Sequence, residues 1–129
     1  MATWAEILDR FGWNLWRRSL LDGLDEAASL LALAGCSRLW LNGSFVTAKE
    51  EPGDFDAVWD TTGIDEQVLD PIFLQLDDGR AAQKRRFGGE LFPNWLNRSS
   101  ASLFSEFFQQ DRYGDAKGIV VFDPRKVNP

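Results

Sequence analysis

Two short apolar runs set the limits on this fold. "LWLN" closes on Gly43-Ser44, and "FDAVW" sits between two aspartates, Asp54 and Asp60. Runs this short, rich in branched and aromatic residues and bounded by turn formers, read as strands. A third, "GIVVF" at 118–122, is stopped by Pro124. Helical spacing fills most of the remaining chain. Helices alternating with only a few strands predict an α/β (α+β) fold, a small mixed β-sheet flanked by helices. At 129 residues the chain suits one domain, 1–129, and no internal repeat or low-complexity linker divides it.

The helical stretches carry their own punctuation. Residues 3–20 read as helical with a break near Phe11-Gly12, and Thr3 with Glu6 has capping-box spacing. Asp22-Gly23 is expected to interrupt, with a second helix over 25–33 ended by Gly35. Residues 61–76 read as a turn and then a helix broken or restarted at Pro71. "QKRRFGGELFP" is a further strand candidate, weakened by its two glycines. "SASLFSEFFQQ" at 100–110 predicts an amphipathic helix opened by serines.

The chain has no histidine. That removes Ser-His-Asp and Cys-His catalysis and ordinary His-based zinc sites. Chemistry must then rest on carboxylates, hydroxyls, lysine or arginine, and carboxylates suit hard ions such as Mg²⁺ or Mn²⁺. A net charge of −6 argues against a large DNA-binding face. Basic residues cluster locally at Arg17-Arg18 and Lys84-Arg85-Arg86, as solvated element ends or as a small patch for phosphates or RNA. Cys36 is the one cysteine, which fits a reducing cytoplasm. No run approaches the ~20 apolar residues of a membrane span, and the N-terminus has no signal-peptide pattern.

The informative spacing lies between the first two strands. On a strand, Asp54 and Asp56 share one face, about 6–7 Å apart at the backbone. Carboxylates so placed can converge on one or two divalent ions. Upstream, the Gly43-Ser44 turn can bring N–H groups and a hydroxyl close to phosphate oxygens. An EF-hand is disfavoured, because the glycine and distal glutamate it needs are missing at the required offsets. Together the two features propose a site for a metal-bound nucleoside triphosphate.

An apolar strand, Gly-Ser, about ten residues and then Asp-x-Asp resembles the signature of the DNA polymerase beta-like nucleotidyltransferase superfamily. Here it reads Leu39-Trp40-Leu41-Asn42-Gly43-Ser44 and then Asp54-Phe55-Asp56-Ala57-Val58. The length is similar to that of the minimal prokaryotic enzymes, many of them in toxin–antitoxin pairs. Within these the chain looks most like an uncharacterised bacterial group sharing "NGSFVT", a "KGIV" strand and a phenylalanine-rich helix.

The resemblance implies that Gly43 and Ser44 hold the triphosphate and that Asp54 and Asp56 bind Mg²⁺. A third carboxylate is expected on a later strand, where Glu90 is the best match and Asp123 the backup. Related sequences tend to carry aspartate at the Glu90 position. Many superfamily members follow Gly-Ser with a basic residue, whereas this chain has Phe45; Lys49 or Arg86 is the candidate replacement. The implied activity is transfer of a nucleotidyl group to a protein or RNA hydroxyl. The alternative is a catalytically weak or inactive homologue acting as a partner-binding antitoxin or regulator. For the enzyme, acceptor recognition would come from the partner, from an oligomer, or from aromatic surface such as Trp4, Trp13 and Trp16. The enzyme reading requires Asp54, Asp56 and Glu90 to converge. A purely structural domain would leave them scattered.

Overall fold

The structure is a computed structural model that describes residues 1–42, 53–75, 77–94, 96–97, 102–103 and 120–127. Its described elements are three α-helices and two sheets, in an α+β arrangement. The main sheet is four-stranded and mixed, in the order β3-β2-β1-β6. Strand β1 (Leu39–Asn42) pairs antiparallel with both β2 (Phe55–Trp59) and β6 (Val120–Phe122). Strand β3 (Gly89–Pro93) pairs parallel with β2. A separate two-residue ladder joins β4 (Leu96–Asn97) to β5 (Ser102–Leu103).

Helix α1 (Trp4–Phe11) begins as its sequence dictates. The Thr3 hydroxyl accepts from the Glu6 N–H, and the Glu6 carboxylate accepts from the Thr3 N–H. Helix α2 runs unbroken from Leu15 to Leu33, so the interruption expected at Asp22-Gly23 does not occur. Gly23 serves packing instead. A Cβ there would lie 1.7 Å from the Phe87 carbonyl oxygen, so glycine is what lets α2 approach the end of helix α3 (Asp77–Phe87). Leu20, Leu24, Ala27, Ala28 and Leu31 form the buried stripe of α2. They join Leu39, Leu41, Phe55, Ala57, Trp59, Leu91 and Phe122 of the sheet in one core.

The pair Arg17-Arg18 serves this architecture. Arg17 is fully buried, and its Nε donates to the Phe11 carbonyl at 2.6 Å. The Arg18 Nε donates to the Gly12 carbonyl at the same distance. Both satisfy carbonyls left open at the end of α1.

Beyond β2 the chain makes a short 3₁₀ turn at Pro71–Leu74, where a longer helix was expected. Asp70 caps it by accepting from the Ile72 N–H. Phe73 from this turn stacks on Phe87 with ring centroids 5.7 Å apart and meets Trp59 edge-on.

Helix α3 (Asp77–Phe87) contains the run Lys84-Arg85-Arg86, so "QKRR" is helical and only "GGELFP" continues as strand. Its first turn departs from helical geometry: Asp78, Gly79 and Arg80 have φ of 53°, 62° and 63°. Left-handed residues other than glycine are costly, roughly 1–2 kcal/mol each. Of the stretch expected as a helix at 100–110, Ser102 and Leu103 form strand β5, and the rest lies outside the described residues.

Two contacts fix β3 against its neighbours. Buried Gln83 accepts from the Leu91 N–H at 2.7 Å and donates to the Ile72 carbonyl at 3.1 Å. Leu91 N–H is on the strand side away from β2, so α3 closes the open edge of β3. Gly89 is opposite Phe55 in the parallel ladder, and a Cβ on it would meet the Phe55 ring at 2.5 Å. Glycine there lets the ring lie flat across β3. No helix among the described residues is long and apolar enough to cross a membrane.

Candidate metal centre

The core residues of β2 and β3 alternate with the acids. Phe55, Ala57 and Leu91 point into the core, so Asp56 and Glu90 stand on the other face. In the parallel ladder Asp56 and Glu90 are register partners, and Asp54 precedes Asp56 by two positions on the same face. One carboxylate oxygen from each of Asp54, Asp56 and Glu90 lies within 4.8 Å of the others. All three side chains are half-buried.

Two cations from α3 meet this cluster. The Arg80 Nε donates to one Glu90 oxygen at 3.0 Å, and the Lys84 Nζ to the other at 2.7 Å. Arg80 also lays its guanidinium over the Phe92 ring, 4.3 Å from the centroid. Sequence reading named Lys84 only within a basic cluster that could serve phosphates or RNA, and missed Arg80. Their i, i+4 spacing is a helical signal, but the strand candidate that begins at Gln83 took in Lys84 and left Arg80 outside it.

The electrostatics follow from the crowding. Burial, and then the Glu90 charge, push the Asp54 carboxyl above its ordinary value, with Lys84 opposing. The hydrogen bond to Glu90, and then the Glu90 charge, hold the Lys84 ammonium pKa above the ordinary lysine value.

The remaining expected site residues fall elsewhere. Gly43, Ser44 and Lys49 lie outside the described residues, although β1 ends at Asn42, the register partner of Asp56. Arg86 is engaged instead by Asp70 at 3.1 Å and by Glu26 at 3.4 Å. Asp123, the backup third acid, is a cap: it accepts from the Arg125 N–H and pairs with the Arg125 guanidinium. Trp4 packs on Phe122 with centroids 5.6 Å apart, while Trp13 and Trp16 are half-exposed. A cavity between α1 and β6, lined in part by Glu6, Arg10 and Val121, shares no residue with the cluster.

Three carboxylates with oxygens this close form a donor set suited to a hard divalent ion. Fold and site together define a small α+β protein with a three-carboxylate cluster across a parallel strand pair. The chain belongs to the DUF6932 family, a family of unknown function whose model matches residues 1–123. No curated protein and no solved structure matches it.

Proposed function

We propose that this protein is a metal-dependent nucleotidyltransferase, acting on a nucleoside triphosphate and a protein or RNA hydroxyl. One observation carries the reading. Asp54 and Asp56, two positions apart beside the first strand pair, converge with Glu90 of the next strand to within 4.8 Å. Scattered acids would have spoken for a purely structural domain.

Asp54, Asp56 and Glu90 would hold Mg²⁺ or Mn²⁺, and Gly43 and Ser44 follow directly on the strand end beside Asp56. A divalent ion held there would draw charge from phosphoryl oxygens and ease deprotonation of an attacking hydroxyl. The acceptor oxygen forms a bond to the α-phosphorus. The bond to the bridging oxygen breaks, and pyrophosphate leaves. The hydroxyl proton passes to a cluster carboxylate, for which Glu90 is the candidate. A cognate toxin or antitoxin, or an RNA end, is the acceptor class this reading favours, in the reducing cytoplasm that Cys36 suits.

A second reading has its own support. Both oxygens of Glu90 are already taken by cations, as expected of a homologue that binds a partner and turns over weakly or not at all. Labelled nucleoside triphosphates with Mg²⁺ and a total lysate separate the two. Transfer of label to a macromolecule, lost in Asp54→Ala/Asp56→Ala, supports the enzyme. A thermal shift with Mg²⁺ and triphosphate but no transfer supports the binding protein. Neither shift nor transfer overturns both.

A further inference from the structure

The two cations on Glu90 are held very differently. Arg80 has two contacts, the carboxylate at 3.0 Å and the Phe92 ring at 4.3 Å, and sits on a left-handed backbone segment. Its side chain is 26% exposed. Lys84 is 45% exposed, and Glu90 is its one ion-pair partner among the described residues. An ammonium on a four-carbon stem with a single contact can leave at small cost, whereas a stacked guanidinium cannot. The ammonium also stands at a carboxylate that belongs to the proposed metal set.

We infer that Lys84 is an exchangeable counter-cation of the cluster, which a divalent ion displaces from Glu90 and which then turns to the phosphates of the bound triphosphate. Arg80 stays on Glu90 and keeps its carboxylate facing Asp54 and Asp56. This rests on the metal and nucleotide reading above, and it assigns the phosphate-facing charge to Lys84, where the sequence suggested Lys49 or Arg86. The physical argument is repulsion. A positive charge 2.7 Å from a ligand oxygen opposes a second cation at that oxygen. Once a polyanion arrives, the same charge has a better partner beside the metal. Metal and triphosphate then strengthen each other's binding through one side chain.

The test is Mn²⁺ affinity, read by electron paramagnetic resonance of free Mn²⁺ or by calorimetry. It is measured with and without a non-hydrolysable nucleoside triphosphate. Lys84→Met is expected to bind Mn²⁺ alone about tenfold more tightly than the wild type, and to lose the enhancement that triphosphate confers. Lys84→Arg, which keeps the charge, should retain the enhancement. Arg85→Met, with the same change in net charge at an exposed neighbour, should behave as the wild type. Unchanged or weaker Mn²⁺ binding in Lys84→Met would overturn the inference and leave the metal site standing, with Lys84 merely holding Glu90. Absence of Mn²⁺ binding in both proteins would overturn the metal site itself.

Discussion

Asp56 and Glu90 face each other across the parallel β2–β3 ladder, so the third acid of the cluster is delivered by strand register. A change that disturbs that register should therefore disperse the cluster. Gly89→Val would drive a side chain into the Phe55 ring, with even its Cβ only 2.5 Å away. Overpacking of this kind typically costs about 1–3 kcal/mol. The expected outcome is a lower Tm together with loss of Mn²⁺ stabilisation, measured on the same sample by thermal unfolding.

Gly23→Ala sets helix propensity against packing. In an open helix the change would stabilise by roughly 1 kcal/mol. Here the new Cβ meets the Phe87 carbonyl at 1.7 Å, a backbone atom that cannot rotate away. We expect net destabilisation of about 3 kcal/mol, read by urea unfolding. A gain in stability would mean that α2 and α3 do not pack this closely.

Gln83→Leu keeps the side-chain size and removes both polar atoms. It leaves the Leu91 N–H and the Ile72 carbonyl without their partner. Two such losses at a buried site should cost about 2–4 kcal/mol. Hydrogen exchange should report the Leu91 amide as the most affected position in β3, since its bond lies on the open strand edge.

Asp123 supplies a pH-dependent contribution. Hydrogen bonding from the Arg125 side chain, foremost, holds its carboxyl below the ordinary aspartate value of 3.8. The folded carboxyl ionises more readily than the unfolded one, so its stabilisation is present above that value. It is lost as pH falls through the lowered folded pKa. Asp123→Asn retains a cap oxygen but not the charge. With Arg125 57% exposed, the variant should lose only about 0.5–1 kcal/mol at pH 7. Wild type and variant should converge in acid, measured as Tm against pH.

Cys36 should be inert in the folded protein. Burial, foremost, pushes its thiol up to about 11, and the thiol donates to the Arg38 and Asp60 carbonyls. A disulfide reagent at pH 8 should react on the timescale of unfolding, and at once in denaturant. Fast labelling of the native chain would place the thiol at the surface.

Much of this protein was legible in its residues. The capping box at Thr3 and Glu6, the break near Gly12, the positive-φ Gly35 and the two core strands follow from interactions within a few positions of each other. The Asp54, Asp56 pair is equally local, because strand geometry alone puts both on one face. Glu90 was named from a resemblance, and its convergence depends on a parallel register that no short-range rule specifies.

Tertiary structure decided the rest. Asp22-Gly23 reads as a helix break, yet α2 passes through it because Gly23 makes room for the end of α3. The basic run at 84–86 reads as strand, yet the edge of β3 needs Gln83 and the helix that carries it. The acids of the centre were thus written locally, in the sequence. The cations that answer them, Arg80 and Lys84, were placed only by packing, since contacts between distant elements override weak local preference.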